Sequence, residues 1–146
     1  MKIRHIDHIG IVVHNLPAAI AFFVDLGFKV VGEMKMQGEL LDNVTALKNA
    51  QTEFATLQAP DAQLNLEIIK FHHPADHQNP HPAPANALGL RHVAIQVEGI
   101  DELVATLKQK GHTPFSEIQT YKNIYKLCYI HGPEGIILEL AEQIKK

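Results

Sequence analysis

The chain has 146 residues, enough for one domain with its own core or for two small modules that share one. Apolar residues make up 46% and charged residues 20%, which excludes a disordered chain, and no apolar run reaches the roughly 20 residues of a bilayer-spanning helix. The net charge of −3 is small and unblocked, so the footprint of a nucleic-acid or anionic-membrane binder is missing and a small-molecule substrate is the expected partner.

The N-terminal stretch MKIRHIDHIGIVV sets Asp7, His8 and Gly10 where a signal peptide needs an unbroken apolar core. The lone Cys128, in the strand-like run YKLCYI, rules out an internal disulfide and reads as a small buried residue. A cytoplasmic location is therefore expected. Ile6 to Val13 is β-rich, and a helix follows with apolar positions Leu16, Ile20 and Phe23 at steps of four and three. Asn15 suits its start, Pro17 its first turn and Gly27 its stop.

Strands are expected near 28–36, 51–58 and 63–71, with the insertion MQGELLDNVTALKNA after the first of them as a candidate lid or substrate wall. Pro60 marks a tight turn between the last two. The Pro-rich stretch HHPADHQNPHPAPANALG, residues 72–89, reads as a solvated crossover, and a metal tract of His72, His73, His77 and His81 is the weaker reading because no Cys accompanies it. Leu90 to Val97 is β-rich again. A helix then carries Ile100, Val104 and Leu107, with Asp101 at its start and Gly111 as its stop. The last strands are expected near 113–119, 125–131 and 136–141, with Pro133 in the final turn.

These elements form one phrase written twice. His8 and His92, Leu16 and Ile100, Ile20 and Val104, and Gly27 and Gly111 are each 84 positions apart. The fold class is α+β: a single domain, 1–146, of two βαβββ modules, 3–71 and 90–142. Strand alternation puts His8 on a face with Gly10 and Val12, and His92 on a face with Ala94 and Gln96. In the last strands Glu67 opposes the face of Leu66 and Ile68, and Glu139 opposes that of Leu138 and Leu140.

A carboxylate in the middle of LNLEIIKF or GIILELAEQ is expensive unless water, a partner or a metal meets it. Any one of the four residues alone reads as a partly exposed strand residue or half an ion pair; four at matched positions of a repeat read as a site. If the two sheets face each other about a pseudo-twofold axis, His8, Glu67, His92 and Glu139 supply two nitrogens and two hard oxygens, a set suited to Zn²⁺, Ni²⁺, Co²⁺, Mn²⁺ or Fe²⁺. His5, His14, His112 and His131 lack a repeated Glu partner and read as surface or loop residues.

DHIGIVVHNLPAAIAFFVDLGF, LNLEIIKF, GLRHVAIQVEGIDELVATLKQKG and HGPEGIILELAEQ together resemble the vicinal oxygen chelate superfamily of glyoxalase I, bleomycin resistance proteins and extradiol dioxygenases. The resemblance covers nearly the whole chain. It implies a cup-shaped mixed sheet around a divalent metal held by His8, Glu67, His92 and Glu139, and commonly a homodimer. It also implies a metal-dependent lyase or isomerase of the glyoxalase I or methylmalonyl-CoA epimerase kind, in which the metal polarises a substrate carbonyl and stabilises the enediolate or enolate. Glu139 or Glu67 is then the proton-shuttling base, Glu139 by analogy with glyoxalase I.

The alternatives are an extradiol ring-cleaving dioxygenase, whose two-His, one-carboxylate site needs no fourth ligand, and a non-catalytic drug-binding resistance protein, which needs no ligand set. Where bacterial glyoxalase I has an Arg four residues after the first His, this chain has Val12, removing a partner for a glutathione carboxylate; no basic cluster for coenzyme A is evident either. Tyr121, Lys122, Asn123 and Tyr125 are candidates for a pocket mouth.

Overall fold

In the computed structural model, which describes residues 1–78 and 82–144, the repeat becomes two four-stranded mixed sheets, one in each of two units, 1–78 and 79–146. The first unit runs β1 (His8–Val12), α1 (Leu16–Asp25), β2 (Lys29–Gln37), α2 (Glu39–Thr45), β3 (Gln51–Gln58) and β4 (Asn65–His73), with sheet order β1-β4-β3-β2. The second runs β5 (His92–Gln96), α3 (Ile100–Gln109), β6 (Gln119–Tyr121), β7 (Tyr125–His131), a 3₁₀ turn (Pro133–Gly135) and β8 (Ile137–Gln143), with order β5-β8-β7-β6. In each sheet the first strand is parallel to the last and the other neighbours are antiparallel.

α1 and α3 each cover one face of their own sheet. α1 packs on β3 and β4 with Leu16, Ala19, Phe22 and Phe23 buried, over the buried row Ala55, Leu57, Leu66 and Ile68. Ile20, expected at the centre of that stripe, is only half-buried, because the packed face turns toward Ala19 and Phe22. Phe23 meets Phe22 and Phe28 edge-on at centroid distances of 5.3 and 5.5 Å. α3 lies on β8 with Ile100, Val104 and Leu107 buried, in a core shared with Cys128, Ile130, Leu138 and Leu140. Fully burying one such aliphatic side chain contributes about 1.5–3 kcal/mol. Burial also raises the Cys128 thiol pKa, so the residue packs as an inert apolar group.

Both helices end in the same way. Gly27 donates to Val24 O at 2.9 Å and Phe28 to Phe23 O at 3.0 Å; Gly111 donates to Lys108 O and His112 to Leu107 O, each at 3.0 Å. This is a Schellman motif in both, and it needs the positive φ of Gly27 (+102°) and Gly111 (+89°).

They begin differently. Asn15 caps α1 as expected, its Oδ1 accepting from Ala18 N at 3.1 Å. Asp101 does not cap α3. The cap position is Gly99, and the carboxylate of Glu142 on β8 accepts from Gly99 N at 2.8 Å and Ile100 N at 3.1 Å, while Asp101 takes a hydrogen bond from Lys126.

Three further elements depart from expectation. The strand expected over 113–119 is β6, only three residues long: Pro114 forms an isolated bridge to Ile130, flanked by the bonds Phe115 N to Tyr129 O and His131 N to Thr113 O, and the chain then bends over 115–117 before pairing resumes at Gln119. The insertion after β2 folds as α2, whose Asp42 carboxylate binds Asn49 N and Ala50 N at 3.0 and 2.7 Å. His72 and His73, read as crossover residues, finish β4, and His81 lies outside the described residues. Among the described residues no helix is long and apolar enough to cross a membrane.

Candidate functional site

In the first unit the parallel register sets His8 beside Asn65 and Gly10 beside Glu67, so His8 and Glu67 are diagonal neighbours on the face turned away from α1. His8 Nε2 lies 3.6 Å from Glu67 Oε2. The Glu67 side chain keeps 23% of its exposure, held between the Cβ-less Gly10 on one side and Thr56 on the other. Behind the imidazole, Asp7 Oδ2 is 2.7 Å from His8 Nδ1. That hydrogen bond raises the His8 pKa above the ordinary imidazole value, the charge of Glu67 adds to it, and burial opposes it; the same bond lowers the Asp7 pKa. In the neutral ring it puts the hydrogen on Nδ1 and leaves Nε2 as a lone-pair donor toward Glu67.

The second unit repeats the arrangement. His92 pairs with Ile137 and Ala94 with Glu139, and His92 Nε2 is 3.1 Å from Glu139 Oε2. Glu139 keeps 25% of its exposure, between the small Ala94 and Tyr129. The support of the imidazole is different: Arg91 stands where the first unit has Asp7, and the ring of His92 leans on Tyr129 at a centroid distance of 4.9 Å.

The spacing within each pair can be set against that of two donors on one divalent ion. A nitrogen and an oxygen bound to one such ion at about 2.1 Å, at angles between the octahedral and the tetrahedral, lie about 3.0–3.4 Å apart. The His92–Glu139 contact, 3.1 Å, falls within that span, and the His8–Glu67 contact, 3.6 Å, lies just beyond it. Each pair brings together one nitrogen and one carboxylate; among the described residues no group of three or more His, Cys, Asp or Glu side chains is gathered so that it could hold an ion. Distance alone is not diagnostic, for His72 Nε2 and Glu53 Oε2 also approach to 3.0 Å, at a position the second unit does not repeat. What distinguishes the two strand pairs is their identical register.

The remaining histidines divide. His5 sits 3.8 Å from Asp7, and His14 contacts Gln78 O. His112 is half-buried, with its pKa lowered by burial. His131, expected on the surface or in a loop, ends β7 half-buried, its ring 4.3 Å from that of Phe115. Asp7 and Tyr129 escaped sequence reasoning. The signal for Asp7 was its place directly before His8; that for Tyr129 was its antiparallel register with Glu139, which only the folded hairpin reveals.

Residues 7–129 match the profile of the Glyoxalase/Bleomycin resistance protein/Dioxygenase superfamily. A solved glyoxalase family protein from Bacillus cereus is 37% identical and superposes with a TM-score of 0.94, covering 99% of this chain and 97% of that one. A second solved glyoxalase family protein, from Enterococcus faecalis, is 28% identical with a TM-score of 0.60 over 97% of each chain. The uncharacterized protein YaeR of Escherichia coli (strain K12) is 28% identical over 147 residues, 98% of this chain and 99% of that protein.

Proposed function

The chain belongs to the glyoxalase/bleomycin resistance protein/dioxygenase superfamily, and we propose that it is a metal-dependent lyase or isomerase that moves a proton on a small oxygenated substrate. The observation that carries this reading is the recurrence of one His–Glu pair, at one register, in both units.

In this reading His8, Glu67, His92 and Glu139 hold one divalent ion of the zinc, nickel, cobalt, manganese or iron kind, within one chain or between the two chains of a homodimer. Bound there, the ion supplies positive charge to a carbonyl and its neighbouring oxygen. The chain's own residues do the rest. Glu139, largely withdrawn from water, takes a proton from the carbon beside the carbonyl and returns it. Glu67 occupies the matched place in the first unit and is the second candidate base. Asp7 fixes the ring of His8, and Gly10 and Ala94 keep the space beside each carboxylate open.

The test is elemental analysis after loading with each metal, together with ¹H/²H exchange into hydroxyacetone in D₂O. The expected result is one ion bound by His8, Glu67, His92 and Glu139 together, and exchange that Glu139→Gln slows by about 10²–10⁴-fold. Exchange that neither Glu139→Gln nor Glu67→Gln alters would remove the proposal, and oxygen uptake with a catechol would move the chain to the ring-cleaving class.

A further inference from the structure

We propose that Tyr129, Phe115 and His131 form an aromatic wall beside the second His–Glu pair that selects substrates bearing an aryl group next to their vicinal oxygens. The inference rests on the reading of His92 and Glu139 just given, and deepens it by naming a substrate class.

Four rings stand in line on the second sheet. His92 leans on Tyr129 at 4.9 Å, Tyr129 meets Phe115 edge-on at 5.8 Å, and Phe115 lies 4.3 Å from His131 with their planes 34° apart. The line starts at the proposed reacting residues, because Tyr129 is directly opposite Glu139 across β7 and β8. Phe115 is anchored in register by its N–H, which donates to Tyr129 O at 2.9 Å.

These rings are not part of the core. On β7 and β8 the buried Cys128, Ile130, Leu138 and Leu140 alternate with Tyr129, His131 and Glu139 and so face the other side, toward α3; on the ring side only Ile137, opposite His131, is buried. Phe115 keeps 39% of its exposure and Tyr129 is half-buried, so ring surface remains open to a ligand. The first unit has no counterpart: opposite Glu67 stands Thr56, and opposite Thr56 stands Gly32. The asymmetry assigns the two units different tasks. A substrate whose oxygens sit at the His92–Glu139 pair has its adjoining substituent alongside Tyr129, where a flat ring gains edge and stacking contacts that a methyl group does not.

Two ketones with the same head, 2-hydroxyacetophenone and hydroxyacetone, isolate the aryl contribution. Calorimetric titration of the zinc-loaded full chain is expected to give about tenfold tighter binding of the phenyl compound. Phe115→Ala and Tyr129→Leu are expected to bring that ratio to within about threefold of unity, and Tyr129→Phe to retain it, since the ring rather than the hydroxyl makes the wall. Equal affinity for the two ketones in the wild type overturns the proposal. So does a ratio unmoved by Phe115→Ala and Tyr129→Leu in proteins whose far-UV circular dichroism is intact. The metal-free protein separates the two readings: if binding ignores the metal while the aryl preference persists and falls in the variants, the metal reading fails and the wall stands.

Discussion

The two units repeat each other down to the residue register of their first and last strands, yet they hold their matched imidazoles by different means. His8 is held from behind by the carboxylate of Asp7 at 2.7 Å, whereas His92 is held from the side by the ring of Tyr129 and follows Arg91. The cores beneath differ in the same spirit: edge-to-face Phe22, Phe23 and Phe28 under the first sheet, aliphatic Ile100, Val104 and Leu107 under the second. The repeat thus preserves the frame that aims a side chain and leaves its surroundings free to diverge. A duplicated fold can keep a matched His–Glu pair in each half while one half gains an electrostatic support and the other an apolar one.

The largest expected effect tests the cores. Phe23→Ala removes a fully buried ring that two other rings abut, and should cost about 3–5 kcal/mol; Leu107→Ala, in the aliphatic counterpart, should cost about 2–5 kcal/mol and fall below it. Urea denaturation of both variants measures the difference. A Leu107→Ala protein weaker than Phe23→Ala would break the expectation that the aromatic core costs more to truncate than the aliphatic one.

The supports of the two imidazoles come next. Asp7→Asn keeps the shape but removes the charge behind His8, and is expected to weaken binding of the proposed ion by about 10–100-fold, whereas Arg91→Gln has no such partner to remove and should leave affinity close to the wild type. Competition against a chelating dye reads both. Equal losses would mean that the supports are alike after all.

Where the units agree, substitutions should agree as well. Gly27→Ala and Gly111→Ala each force a side chain into positive φ inside a Schellman motif, and each should cost about 1–2 kcal/mol. Thermal unfolding showing one of the two to be neutral would mark that helix end as frayed.

How much of this was legible in the sequence follows from which interactions are local. Leu16, Phe23, Val104 and Leu107 announced their helices through spacing, and Gly27 and Gly111 announced their ends, because periodicity and a helix stop are written within a few residues of each other. His8, Glu67, His92 and Glu139 stood out through the repeat, and the registers do set each His next to its Glu. The start of α3 was misread because its capping carboxylate, Glu142, lies 43 residues from Gly99 and shares a strand with residues that signal only β-structure. The strand over 113–119 was overextended because the bend over 115–117, between the Pro114 bridge and Gln119, interrupts a ladder that composition alone would continue. The aromatic line was invisible because Phe115 and His131 meet only across a folded edge.

The smallest effect sharpens the comparison most, because it predicts a difference in shape rather than in size. Asn15→Ala deletes the amide-side-chain cap of α1 and should lower stability by about 1 kcal/mol, by the same amount in acid as at neutrality, since neither partner titrates. Glu142→Gln deletes a charged cap. In the folded protein the Glu142 pKa is lowered, first by the backbone N–H of Gly99, then by that of Ile100, with the charge of Lys126 adding to them. A carboxyl whose folded pKa lies below its unfolded one stabilises fully above the unfolded value and loses that stabilisation as pH falls through the folded value. The Glu142→Gln protein should therefore melt below the wild type at neutral pH and converge with it in acid, while the Asn15→Ala curve stays parallel throughout. Melting temperatures recorded from about pH 7 down to about pH 3 span the ordinary carboxyl range and decide the matter. If the gap between Glu142→Gln and wild type stays constant over that interval, the carboxylate is not acting as a charged cap, and the two helix starts differ only in the distance along the chain from which the acceptor comes.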